Sequence, residues 1–95
     1  MNIKKFPLNI ADVQTLEVPD GSLLLSVQAQ GDSEIFAWIM TSSDKKPFKL
    51  RFYMVGAGNV PPWALDRWHY LASLQMRGGA VTMHVFTDKA DGHSL

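Results

Sequence analysis

The sequence predicts an all-β fold, a small antiparallel sandwich or barrel of about seven strands. Three observations carry this expectation. Apolar and polar residues alternate with period 2 through most of the chain, the pattern of strands with one buried face. Gly- and Pro-containing turn signals separate the alternating runs at short intervals. No apolar stripe with i, i+3, i+4 spacing extends beyond two helical turns.

Ile3 to Leu8 reads as a short edge strand, because Pro7 cannot donate to a central ladder. Gln14 to Val18 is a second strand, with Val13, Thr15 and Glu17 on the face opposite Gln14, Leu16 and Val18. Pro19-Asp20-Gly21 suits the successive positions of a tight turn. Ser22 to Gln30 follows as a third strand. Strict alternation there places Leu23, Leu25, Val27 and Ala29 on one face, and Ser26, Gln28 and Gln30 on the other. Gly31-Asp32-Ser33 is a hairpin connection into Glu34 to Thr41, where Ile35, Ala37 and Ile39 oppose Phe36, Trp38 and Met40. Apolar groups on both faces predict a central or doubly covered strand.

A polar loop from Thr41 to Pro47 leads into a fifth strand, Phe48 to Val55. Gly56-Ala57-Gly58-Asn59 and Val60-Pro61-Pro62 come next, and Pro62 is suited to open a single helical turn reaching Asp66 or Arg67. His69 to Met76, the turn Arg77-Gly78-Gly79 and Ala80 to Thr87 form the last hairpin. The domain is thus expected to span 1–88, with 89–95 a flexible tail.

Composition excludes several function classes. Nine basic residues balance nine acidic ones, so no net charge draws the chain to DNA, RNA or an anionic membrane. The absence of cysteine excludes disulfides and thiolate metal sites, in keeping with a reducing cytosol. His69, His84 and His93 lack metal-ligand spacing, so no metal or cofactor is expected. There is no apolar run of the ~20 residues that a membrane helix needs, and the residues after Met1 lead us to expect no signal sequence.

Catalytic constellations are equally thin. Gly56-Ala57-Gly58 follows a strand, but Pro61 stands where a dinucleotide fingerprint needs its third glycine. Ser26, Ser73, His69, His84, Asp12 and Asp66 form no nucleophile elbow or carboxylate pair. A non-enzymatic protein is expected. What remains is a glycine loop with amides able to meet an anion, a polar strand face with Gln28, Gln30 and Arg51, and aromatics suited to stacking. Trp38, Trp63, Trp68, Tyr53 and Phe86 are the stacking candidates, and His84 lies on the polar side of its strand.

Several strings taken together resemble a family of small proteins encoded by tailed bacteriophages and prophages. They are Lys5-Phe6-Pro7-Leu8, Asp12 to Pro19, Leu25 to Gln30, Trp38, Val55-Gly56-Ala57-Gly58 and Gly78 to Phe86. Members of that family usually carry threonine where Ala57 stands, so no hydroxyl contact is expected from that loop. The resemblance implies an accessory protein acting in the cytoplasm of the bacterial host.

These readings converge on an anti-defence protein that sequesters a small anionic nucleotide-type signalling molecule. Arg51 would hold a phosphate, Gly56, Ala57, Gly58 and Asn59 would add loop amides, and Trp38 or Trp63 would stack on a base. Gln28, Gln30 and His84 complete the expected site. A chain this small has little room for an internal pocket of ~300 Å³, which favours a homo-oligomer with its site between protomers. The alternative is a protein-binding module that inhibits a host protein or serves as a minor virion component, anchored by Trp63 and Trp68. A far-UV circular dichroism spectrum with a single β-type minimum is expected, and a helix-dominated spectrum would contradict the fold.

Overall fold

Alternation gives each strand two faces, and the apolar face has to be covered by another layer. The computed structural model describes residues 1–41, 46–56, 60, 62 and 64–88, the side chain of Leu65 excepted. The element order is β1 (Asn2–Leu8), β2 (Val13–Pro19), β3 (Leu23–Gln30), β4 (Glu34–Thr41), β5 (Pro47–Val55), α1 (Ala64–Arg67), β6 (Trp68–Met76) and β7 (Val81–Asp88). They form a three-stranded sheet in the order β1-β4-β3 and a four-stranded sheet in the order β2-β5-β7-β6. Every pairing is antiparallel. Among the described residues no ladder joins the two sheets, and they pack as a sandwich rather than a closed barrel.

The inner faces bury one another. Leu8, Val27, Ile35, Ala37 and Ile39 from the first sheet share a core with Val18, Leu50, Phe52, Met54, Leu74, Met76 and Val85 from the second. Ala37, Ile39, Phe52 and Val85 are completely inaccessible. Each large side chain buried in this way contributes about 1.5–3 kcal/mol relative to exposure. The short axis of the Cα envelope, 16 Å, fits two layers about 10 Å apart.

The expected strands are all present, with boundary shifts of a residue or two. Pro7 lies within β1, opposite Phe36, and is tolerated because β1 is an edge. β4 is the middle strand of its sheet, but among the described residues no further layer covers its Phe36-Trp38-Met40 face. The helical turn is Ala64–Arg67, with Pro62 in the turn before it. Residues 42–45 of the expected polar loop and the expected tail 89–95 lie outside the described residues.

One alternation fails. A β-bulge falls between Leu24 and Ser26 in the β3–β4 register, and an extra residue there reverses the facing of everything before it. Val27 and Ala29 face the core as alternation predicts, but Leu24 is the inward leucine, while Leu23 and Leu25 are 37% and 42% exposed. A second bulge separates Tyr70 from Ala72 in β6. β3 and β6 are the strands by which the two sheets approach most closely, and a bulge bends each of them there.

Local chemistry fixes the connections. The Ser22 amide and hydroxyl both donate to the Pro19 carbonyl, at 3.2 and 2.5 Å. Gly21 between them has φ +80°, the third-position conformation a type II turn requires. The Gln14 side chain closes the β1–β2 connection like a strand partner. Its Oε1 accepts from the Asn9 amide at 2.8 Å, and its Nε2 donates to the Asn9 carbonyl at 2.6 Å. Replacing Gln14→Ala removes both bonds and should cost about 1–2 kcal/mol, a fall in Tm of about 4–16 °C for a domain this size. An unchanged melting curve would show that this clamp does not hold the connection.

Candidate functional site

Registers across the outer face of the four-stranded sheet stack its side chains in three rows. Arg51, Asp88 and Trp68 lie abreast, then Tyr53, Phe86 and Tyr70, then Val55, His84 and Ser73. The opposite side of each strand carries Phe52, Val85, Leu74 and their neighbours into the core. At two residues per row, Arg51 and His84 stand about 13 Å apart along the sheet with an aromatic row between them.

The aromatic row packs upon itself. Trp68 stacks on Tyr53, with ring centroids 4.4 Å apart and 19° between planes, and meets Phe86 at 5.3 Å. Tyr70 meets Phe86 edge-on at 5.8 Å and is 59% exposed. Offset stacked and edge-on pairs of this kind each add about 0.5–1.5 kcal/mol beyond burial. Trp68 is 8% exposed and, although buried, stands apart from the main core. A second, small packing unit therefore supports this face from outside.

Charge enters at one end. The Arg51 guanidinium lies 3.9 Å from Asp88 Oδ2, with both side chains substantially exposed. A hydrogen bond and electrostatic contact with Tyr53, followed by the Asp88 carboxylate, raise the Arg51 pKa above its ordinary value, so the cation persists at any physiological pH. An exposed ion pair at this distance is weak and exchanges readily for a better anion. The Arg51 backbone is firmly held, since its carbonyl accepts the Thr87 hydroxyl at 2.6 Å within the core.

At the other end, Ser73 Oγ lies 2.7 Å from both Tyr70 Oη and His84 Nδ1. The three side chains make one exposed chain of donors and acceptors beside the aromatic row. A serine–histidine contact alone is not a hydrolytic centre. No group of three His, Asp or Glu residues able to hold a metal occurs among the described residues. No helix of the described residues is long and apolar enough to cross a membrane.

The residues predicted for a single site divide between the two sides of the sandwich. Arg51 and His84 share the outer face just described. Gln28, Gln30 and Trp38 lie on the outer face of the three-stranded sheet, because their neighbours Val27, Ala37 and Ile39 face the core. There Lys5 lies 4.4 Å from the Phe36 centroid and 5.7 Å from that of Trp38, and donates to Gln30 Oε1 at 3.3 Å. The core separates the two groups, so one chain does not bring them onto one ligand. Gly56 directly follows β5 without a positive φ, and an added Cβ would only touch the Thr82 carbonyl at 4.0 Å. Ala57, Gly58, Asn59 and Trp63 lie outside the described residues.

Sequence reasoning missed the pairing of Tyr70 with Ser73. Residues three apart in a regular strand face opposite sides, and only the bulge after Tyr70 brings both outward. Asp88 as the partner of Arg51 was equally hidden, since strand order was needed to place them abreast.

The chain belongs to the family described as Domain of unknown function (DUF7352), which matches residues 1–94. No curated protein and no solved structure is significantly similar to it.

The two kinds of residue on this face should separate on mutation. Trp68→Ala is expected to cost about 3 kcal/mol by opening the stack on Tyr53 and Phe86. Arg51→Ala should leave the thermal midpoint essentially unchanged. Equal losses of stability in chemical denaturation would show that Arg51 belongs to the framework.

Proposed function

We propose that this chain is a non-enzymatic binding protein that holds a small nucleotide-type anion on the outer face of the four-stranded sheet. The observation that supports this most is the succession of Arg51, the Tyr53–Phe86–Tyr70 row and the Ser73–His84 pair across one solvent-facing surface. Arginine offers a planar fork to a phosphate. Aromatic rings offer a floor for a base. Exposed hydroxyl and imidazole groups offer partners for the polar edge of a ring or sugar.

In this reading the protein acts by occupancy, removing a signalling nucleotide from circulation, and needs no acid, base or nucleophile. A phage-encoded, anti-defence role in the host cytoplasm is part of the same proposal, motivated by the sequence resemblance. A second reading, a protein-binding module directed at a host protein or virion component, is favoured by a separate observation. The outer face of the three-stranded sheet exposes Ile3, Leu23 and Leu25 beside Met40 and Trp38.

Calorimetric titration with nucleoside monophosphates, cyclic nucleotides and ADP-ribose derivatives tests the first reading. At least one should bind, and Arg51→Ala should weaken it by about ten- to a hundredfold, the effect of losing one charge-assisted bidentate contact. Tyr53→Ala should weaken it as well. Absence of binding across the panel would reject the nucleotide reading. Equal binding by wild type and Arg51→Ala would reject the site.

A further inference from the structure

Four strands end a sheet, β1 and β3 in one and β2 and β6 in the other. An open strand edge is a template for a further strand, and proteins blunt it with lysine, proline, bulges or a covering element. β1 carries Lys4, Lys5 and Pro7. β3 and β6 are bulged and approach each other. β2 has none of these devices: no lysine, no proline before its last residue, and an unbroken register with its neighbour. We infer that the open edge of β2 pairs antiparallel with β2 of a second copy of this chain, about a twofold axis that passes beside Thr15 perpendicular to the sheet.

The Met54 amide donates to the Asp12 carbonyl at 3.1 Å, which fixes the hydrogen-bond phase of β2. Opposite residues of an antiparallel ladder bond in alternate pairs, so the backbones of Gln14, Leu16 and Val18 face β5. The amides and carbonyls of Val13, Thr15 and Glu17 point to the open side, where no described strand pairs with them. The four-stranded sheet is one strand wider than the sheet packed on it. The two come closest at β3 and β6, on the far side, so β2 overhangs. Leu16 faces inward yet is only partly buried for that reason.

A second copy satisfies this edge completely. With Thr15 opposite Thr15 of the second copy, Val13 of each chain lies opposite Glu17 of the other. All three residues share one phase, so every edge amide and carbonyl from Val13 to Glu17 finds a partner. The two Thr15 side chains form a cross-strand pair that sheets favour. The two Leu16 side chains become diagonal neighbours, about 7–8 Å apart, and cover one another beneath the joined sheet. Glu17, the one charge in β2, lies opposite Lys49 of its own chain. The two Glu17 stand about 14 Å apart, beyond the ~8 Å screening length, and so do not repel. The two four-stranded sheets become one continuous sheet. Arg51 lies in the row of Thr15, so three strand spacings, about 14 Å, separate the two Arg51 on one outer surface. The pairing does not rest on the nucleotide reading, since no ligand takes part in it.

The contact is smaller than the ~800 Å² per partner of a standard interface, so its dissociation constant is on the order of 100 µM. Sedimentation equilibrium from about 10 µM to 1 mM should show monomer passing to dimer, without larger species. Thr15→Pro removes a donor that makes no bond within the chain, so the fold should persist. The dissociation constant should rise at least about tenfold. Thr15→Lys, at an exposed residue, should do the same by opposing like charges across the axis. Ile3→Asp, at a residue 60% exposed on the other sheet, should leave dimerisation unchanged. Hydrogen exchange should show the alternation directly. Between about 20 µM and 1 mM, the amides of Val13, Thr15 and Glu17 should slow about fourfold, while those of Gln14, Leu16 and Val18 stay slow throughout. A monomer over the whole range would overturn the inference. So would a dimer that both Thr15 variants leave intact, since it would assemble elsewhere, or one that Ile3→Asp dissociates. Slow exchange of the Val13, Thr15 and Glu17 amides at every concentration would overturn it too, because the chain would then cover this edge itself.

Discussion

The mutual burial of two inner sheet faces is the constraint on which this structure depends. Among the described residues, the only α-helix has four residues and a 3-10 turn covers three more, so neither sheet has a helical layer to cover it. Phe52 and Val85 must be enclosed by Ile35, Ala37 and Ile39, and the reverse. Core side chains that enclose one another in this way pack at close to crystalline density, which favours an outer face or a contact between copies as the place to bind a ligand.

That constraint gives the outer faces their different characters. On the four-stranded sheet, Trp68 stacks on Tyr53 and Phe86 and forms a small packing unit of its own. It leaves Arg51, Tyr70, Ser73 and His84 around its margins. On the three-stranded sheet, Lys5 shields Phe36 and Trp38 but leaves the Ile3–Met40–Leu23 row uncovered. Both edges at which the sheets approach are bulged, and each bulge also redirects a side chain outward, Leu25 in one case and the Tyr70–Ser73 pair in the other. Bending the strands and furnishing the surface are here the same structural event.

Much of the fold was legible in the residues. The alternation of Leu50, Phe52 and Met54 with Lys49, Arg51 and Tyr53 reports the inner and outer faces of β5 correctly, because nothing interrupts that strand. The same reasoning misplaced Leu23 and Leu25, because one bulged residue inverts the pattern and leaves no compositional mark. The site was less legible than the fold. Gln28 and Trp38 were grouped with Arg51 on chemistry alone, and only strand order reveals that they belong to different sheets. Asp88 opposite Arg51 and Ser73 beside His84 are products of register, a long-range property that local pattern does not encode.

The central claim is that the four-stranded sheet's outer face, rather than the core or the opposite face, receives a nucleotide-type anion. Chemical-shift mapping tests it most directly, with amide and aromatic resonances followed as the tightest-binding nucleotide is titrated in. The account predicts perturbations concentrated at Arg51, Tyr53, Tyr70, Ser73, His84 and Phe86, with β1 and β4 unmoved. Perturbations centred on Lys5, Phe36 and Trp38, or none at saturating nucleotide, would contradict it.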